Sequence, residues 1–151
     1  MIKKICFDLD GTLVDLYGVK GWLEDLQSEN ARPYEIAKPL VDMDRLGELL
    51  TQLRNFGVEI VVITWLAMGS TKEYDKKVRQ AKLEWLEKYN FPYTELHMVK
   101  YGTTKANTIR KAMGENEQAI LFDDNEKVRK GWTLGGAYDV DNIIETICGL
   151  F

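Results

Sequence analysis

The sequence predicts an α/β chain built on a mainly parallel five-stranded sheet flanked by helices. Three observations predict it. Short apolar runs, several rich in β-branched residues, recur at 2–8, 58–64, 94–99, 118–123 and 137–140. Segments of helical period separate them, and strands alternating with helices call for right-handed crossovers between parallel strands. Acids and hydroxyls gather at the carboxyl ends of these runs, the edge at which an open parallel sheet binds ligands.

Taken in order, the first run (Ile2 to Asp8) becomes apolar in its second half. Asp42 can cap a helix reaching about Asn55, with Leu46, Leu49, Leu50 and Leu53 on one face and Gly57 as its stop. Val58 to Thr64 is nearly all apolar, the pattern of a strand buried on both faces. Residues 72–89 form a charged helix whose apolar face holds Val78, Ala81, Trp85, Leu86 and Tyr89. Thr104 can cap a helix through Met113, and residues 125–134 and 141–149 supply two more. One stretch, 15–40, is longer than the ~2–6 residues of an ordinary strand-to-helix loop. Gly18 to Asn30 looks helical, with Val19, Trp22, Leu23 and Leu26 on one face, and Arg32-Pro33 to Pro39 looks irregular.

The 151 residues read as one domain, 1–151, with an insertion at about 15–40. At 45% hydrophobic and 29% charged, the composition excludes a disordered, collagen-like or disulfide-dense chain. No apolar stretch reaches the ~18 residues of a membrane span, and the first run meets acid too early for a signal peptide. A net charge of −4 argues against coating nucleic acid by bulk charge, while leaving room for a local basic groove. Cys6 and Cys148, both in apolar surroundings, read as small buried hydrophobes, which fits a reducing cytoplasmic location. The sole histidine, His97, excludes a multi-histidine zinc site and reads as a strand or surface residue. Trp22 and Trp65 read first as packing residues, with a substrate platform as the second reading.

The chemistry concentrates in a few positions. Asp8 and Asp10, two apart on extended backbone, point to one side. Two such carboxylates repel unless a cation or a proton lies between them. Asp123 and Asp124 add two more from another strand end. Four acids without histidine or thiolate favour a hard, oxygen-seeking ion, of which Mg²⁺ is the natural choice. Gly11 lets the chain leave the strand sharply. Thr64 and Lys105 offer a hydroxyl and a cation to an anion, with Lys100 as the rival lysine.

Asp8-Leu9-Asp10-Gly11-Thr12-Leu13, Thr64 after an apolar strand, Lys105, and Asp123-Asp124 resemble the four motifs of the haloacid dehalogenase (HAD) superfamily of phosphotransferases. The resemblance runs from residue 3 to about 140. It implies a Rossmann-like sheet with a cap after the first strand, here reduced to 15–40. It implies that Asp8 is the nucleophile that becomes an aspartyl-phosphate, and that Asp10 is the acid and then the base. Thr64 would donate to a phosphoryl oxygen and Lys105 would balance the charge of Asp8 and the phosphoryl group. Asp123 would ligate Mg²⁺ beside the Asp8 carboxylate and the Asp10 backbone carbonyl, with Asp124 behind it. The N–H groups of Leu9 and Trp65 would meet the transferring oxygens. The implied activity is Mg²⁺-dependent phosphomonoester hydrolysis; a non-catalytic binding module or a phosphotransferase are the alternatives.

Two finer likenesses bear on substrate. Phe122 to Arg129 is similar to the fourth motif of 5′(3′)-deoxyribonucleotidases. Gly69 to Glu73, followed by a charged helix with Trp85, is similar to the phosphatase domain of phage-type polynucleotide kinases, although Trp65-Leu66 follow Thr64 where an Arg is usual there. Both imply a phosphorylated small molecule or a nucleic-acid end as the partner.

Overall fold

The computed structural model describes residues 1–151. Five strands, β1 (Ile2–Phe7), β2 (Glu59–Trp65), β3 (Glu95–Val99), β4 (Gln118–Phe122) and β5 (Ala137–Tyr138), form one sheet in the order β3-β2-β1-β4-β5. All four pairings are parallel. The chain is therefore α/β, with the expected five-stranded Rossmann-like sheet. Phe7 pairs with both Val62 and Phe122, so the carboxyl ends of β1, β2 and β4 come level at one edge.

Seven helices flank the sheet: α1 (Trp22–Gln27), α2 (Arg32–Ile36), α3 (Met43–Asn55), α4 (Lys72–Lys88), α5 (Lys105–Ile109), α6 (Glu126–Lys130) and α7 (Ile143–Leu150). The main core joins Leu46, Leu50 and Leu53 of α3, Trp85 and Leu86 of α4 and the isoleucines of α7 to one face of β1, β2 and β4. A smaller core packs Ala106, Ile109 and Trp132 on the other face. Asp42 caps α3 as expected, its side chain accepting from the Arg45 N–H. Gly57, in the left-handed region at φ 90°, turns the chain into β2. No helix is long and apolar enough to cross a membrane.

The structure corrects several expectations. Cys6 is buried but Cys148 is exposed, one residue past the buried Ile147 and hence off the inward stripe of α7. The Thr104 side chain makes no capping bond, and α5 gives way after Ile109 to a 3₁₀ turn, Arg110–Ala112. Residues 125–134 hold only the five-residue α6, and β5 ends at Tyr138. His97, by contrast, lies as expected on a strand, half-buried on edge strand β3 with its Nε2 3.0 Å from Glu95 Oε2.

The 15–40 insertion differs most. Its helix is limited to α1, none of whose residues is buried, and Leu23 is exposed. The stretch expected to be irregular contains α2, because Pro33 falls in the first turn, where its missing N–H leaves no helical bond unmade. The base of the insertion is closed by two backbone bonds, Asp15 N to Lys38 O and Leu40 N to Leu13 O, both 2.8 Å. It rests on α4 through a cluster of Leu16 and Tyr34 with Leu66, Tyr74, Val78 and Ala81. The Trp85 indole N–H donates to Ala37 O.

Candidate active site

A cleft of about 410 Å³ opens at the carboxyl edge of the sheet. Asp8, Asp10, Thr64, Lys105, Asp123 and Asp124 all line it. Asp8 follows directly from β1, and its N–H donates to Phe122 O across to β4. The chain then turns at once: the N–H groups of Thr12, Leu13 and Val14 all return to Leu9 O. Gly11 permits this turn at φ 82°. A Cβ there would also stand 2.3 Å from Asp124 Oδ2 and 2.9 Å from the Tyr17 ring. The N–H groups of Leu9 and Asp10 donate to no other group of the protein, so they remain available to an anion above Asp8.

Lys105, the first residue of α5, is 4% exposed. Its Nζ donates to Asp8 Oδ1 at 2.9 Å and Asp123 Oδ2 at 2.8 Å. The rival Lys100 is exposed on the loop after β3. Burial alone would lower the Lys105 ammonium, but the charges of Asp8 and Asp123 outweigh it and hold it above its ordinary value. The Thr12 hydroxyl donates to Asp8 Oδ2 at 3.1 Å, and itself accepts from the Asp124 N–H at 3.3 Å. Asp123 Oδ1 accepts from the Asn125 N–H. Asn125, rather than Asp124, caps α6, accepting from the N–H groups of Lys127 and Val128.

Carboxylate oxygens of Asp8, Asp123 and Asp124 lie within 4.8 Å of one another. Burial, then the charge of Asp8, raises Asp123 above the usual carboxylate range, with Lys105 in opposition. Asp124, on the exposed rim, is pushed up to about 7 by the protein packed behind it and by the neighbouring Asp8 charge.

Asp10 departs from the expected grouping, because its carboxylate is outside this cluster. It turns towards α4, where Lys82 Nζ lies 3.2 Å from Asp10 Oδ2. The same ammonium donates to Thr64 Oγ1 at 2.7 Å and Trp65 O at 2.9 Å. Burial raises the Asp10 carboxyl, Asp8 adds to the rise, and Lys82 opposes it without reversing it. The adjacent acids are thus in different environments: Asp8 between a lysine and a threonine on the sheet, and Asp10 under α4.

Lys82 is a residue at the site that the sequence analysis missed. Its signal was present: it follows Val78 by four and precedes Trp85 by three, a lysine at core spacing on the buried stripe of α4. Missed as well were Thr12 as a partner of Asp8, and Tyr17 and Tyr101 among the aromatic walls. Trp65, whose indole N–H donates to Thr103 O, stands 5.0 Å from Tyr101 on one side of the cleft. Tyr17 and Trp22 of the insertion meet edge to face at 4.9 Å. All four line the cleft, so Trp22 and Trp65 are wall residues as well as packing residues.

No protein-family model matches the chain, and no curated protein matches it. A chain in the structure of the Pnkp1/Rnl/Hen1 RNA repair complex is similar, with a TM-score of 0.62 and 18% identity over 92% of this chain. The match spans 42% of that chain, so the protein corresponds to less than half of it. At this identity the likeness establishes the class of fold, a Rossmann-like α/β sheet with its helices.

Proposed function

We propose that the protein is a HAD-type phosphomonoester hydrolase, working through an aspartyl-phosphate on Asp8, with a nucleotide or nucleic-acid terminal phosphate as its substrate. The observation that carries this reading is the division of two neighbouring acids: Asp8 accepts from Lys105 and Thr12, while Asp10 turns away to pair with Lys82 and burial raises its carboxyl. A nucleophile and a general acid need this difference.

The first step forms a bond from an Asp8 carboxylate oxygen to phosphorus and breaks the bond to the leaving oxygen. Asp10 gives its proton to that oxygen, releasing an alcohol. In the second step Asp10 takes a proton from water, whose oxygen attacks phosphorus and breaks the bond to Asp8, freeing phosphate. The N–H groups of Leu9 and Asp10, the Thr64 hydroxyl and the third N–H of Lys105 would receive the phosphoryl oxygens.

The donor set fits Mg²⁺. Asp8, Asp123 and Asp124 offer only oxygens, the preference of a hard cation. With their carboxyls ionised, these three acids against the ammonium of Lys105 would leave two negative charges, the complement of one divalent ion. Asp8, Asp123, the Asp10 carbonyl and, behind them, Asp124 would hold it. Bound there, Mg²⁺ supplies Lewis-acid charge neutralisation for an anionic substrate.

The substrate class rests on the walls. Tyr17, Trp22, Trp65 and Tyr101 offer aromatic faces on which bases stack, at about 1–3 kcal/mol each. The similar chain from an RNA repair complex agrees with such a substrate. The test is a panel of phosphomonoesters, including mononucleotides and 3′-phosphorylated oligonucleotides, assayed with Mg²⁺ and with EDTA. Hydrolysis should require Mg²⁺ and fall to background in folded Asp8→Asn. Wild-type turnover by that variant would reject the covalent mechanism.

A further inference from the structure

We infer that Lys82 is a positioning residue that sets both proton donors of the reaction, aiming the Asp10 carboxyl at the leaving oxygen and the Thr64 hydroxyl at the phosphoryl group. The inference rests on the phosphatase reading above and adds a role that none of the four motifs contains.

The argument is one of hydrogen-bond accounting. An ammonium has three N–H bonds and no acceptor. Those of Lys82 face three acceptors: Thr64 Oγ1 at 2.7 Å, Trp65 O at 2.9 Å and Asp10 Oδ2 at 3.2 Å. Two of its hydrogens are donated to Thr64 and Trp65 and the third side of the ammonium is closed by the ion pair with Asp10, so no side of Lys82 is left open to a substrate. It is also 2% exposed, with the Tyr34 ring over its ammonium at 5.4 Å. Lys82 therefore acts through its partners. A hydroxyl has one hydrogen and two lone pairs. Because Lys82 fills a lone pair of Thr64, the Thr64 hydrogen is released from any bond to Lys82, and it has no acceptor within the protein. It is left for an acceptor in the cleft that Thr64 lines. The same ammonium grips Oδ2 of Asp10, leaving Oδ1 to carry the proton.

The placement follows from the helix. A helical side chain leans towards its helix N-terminus. α4 begins just after β2 ends, so this lean brings Lys82 to the carboxyl edge of β2, where Thr64 and Trp65 lie.

The test compares two monophosphates of similar size. Benzyl phosphate needs its leaving oxygen protonated, whereas p-nitrophenyl phosphate departs readily as an anion. With Mg²⁺ present, Lys82→Met should lower the rapid-quench rate of phosphoenzyme formation from benzyl phosphate by roughly 100-fold, within the usual range for general acid catalysis. The same first-step rate from p-nitrophenyl phosphate should fall by under about tenfold, since the Thr64 contribution alone is lost in that step, while the second step, which needs Asp10 as base, slows alike for both substrates. Should Lys82→Met melt, Lys82→Gln keeps two donors and is expected to show the same bias in smaller measure. Equal losses on both substrates, tracking a lower melting temperature, would overturn the positioning role while leaving the phosphatase reading intact. Wild-type inactivity on the whole phosphomonoester panel would overturn both.

Discussion

Lys105 and Lys82 are buried alike, each lies 5.4 Å beneath an aromatic ring, and each holds one acid of the Asp8–Asp10 pair. Their remaining bonds differ. Lys105 bridges two carboxylates and keeps one N–H for the cleft. Lys82 donates to one hydroxyl and one carbonyl, and an ion pair with one carboxylate closes its remaining side. The same side chain thus bridges two acids with an N–H to spare in one half of the site, and is a closed strut in the other. Depth of burial does not distinguish them; the count of acceptors does.

The largest effect should come from removing the bridge. Lys105→Met leaves Asp8 and Asp123 buried face to face, and breaking a buried pair in this way costs about 3–5 kcal/mol. Urea unfolding of the metal-free protein should show a loss near that size. Lys82→Met, which strands one carboxylate able to take a proton, should lose less. Lys105→Met should also abolish turnover of both aryl and alkyl phosphates. If Lys82→Met were the less stable variant, the contrast drawn from acceptor counts would fail.

A smaller effect separates the acids themselves. On the proposed mechanism, Asp10→Asn removes the proton donor and the later base but leaves the nucleophile. Rapid quench with p-nitrophenyl phosphate should then show a burst of about one equivalent, followed by slow turnover as phosphoenzyme accumulates on Asp8. The burst should vanish when Asp8→Asn is added. Wild-type rates on alkyl phosphates in Asp10→Asn would leave Asp10 as a structural partner of Lys82 only.

The same contrast explains what could be read from sequence. Lys105 was legible because it opens the helix before β4, next to acids at strand ends, and the topology brings such ends together. The β-branched run of β2 and the apolar half of β1 fixed those ends within a residue or two. Lys82 was not legible because long charged side chains commonly flank a helix's buried stripe with their stems in and their heads in water. Only the contact with Asp10, seventy-two positions earlier, marks its head as buried. The insertion was hard for a different reason. α1 and α2 are one to two turns each, too short for apolar period to define, and tertiary bonds such as that of Trp85 to Ala37 O hold them. Tyr17 therefore gave no hint of facing the cleft.

Asp124 completes the comparison, because it alone of the four acids has no lysine. Its carboxyl is pushed up to about 7, against about 3.9 for a free aspartate. Between those values the folded chain binds a proton that the unfolded chain does not. Metal-free stability from this group is thus present at low pH and lost as pH rises from about 4 to about 7. A cation at Asp8, Asp123 and Asp124 must displace that proton. Mg²⁺ binding should therefore be weaker at pH 6 than at pH 8, by roughly tenfold for a carboxyl one unit above the solution pH. Titration calorimetry in buffers of different ionisation heat should find proton release at pH 6 and little at pH 8. Asp124→Asn should bind Mg²⁺ with a smaller pH dependence and release fewer protons at pH 6, since Asp123, also raised, remains. Unchanged release in Asp124→Asn would assign the proton to the half of the site that Lys105 bridges, and the acid without a lysine would then be a spectator to the metal.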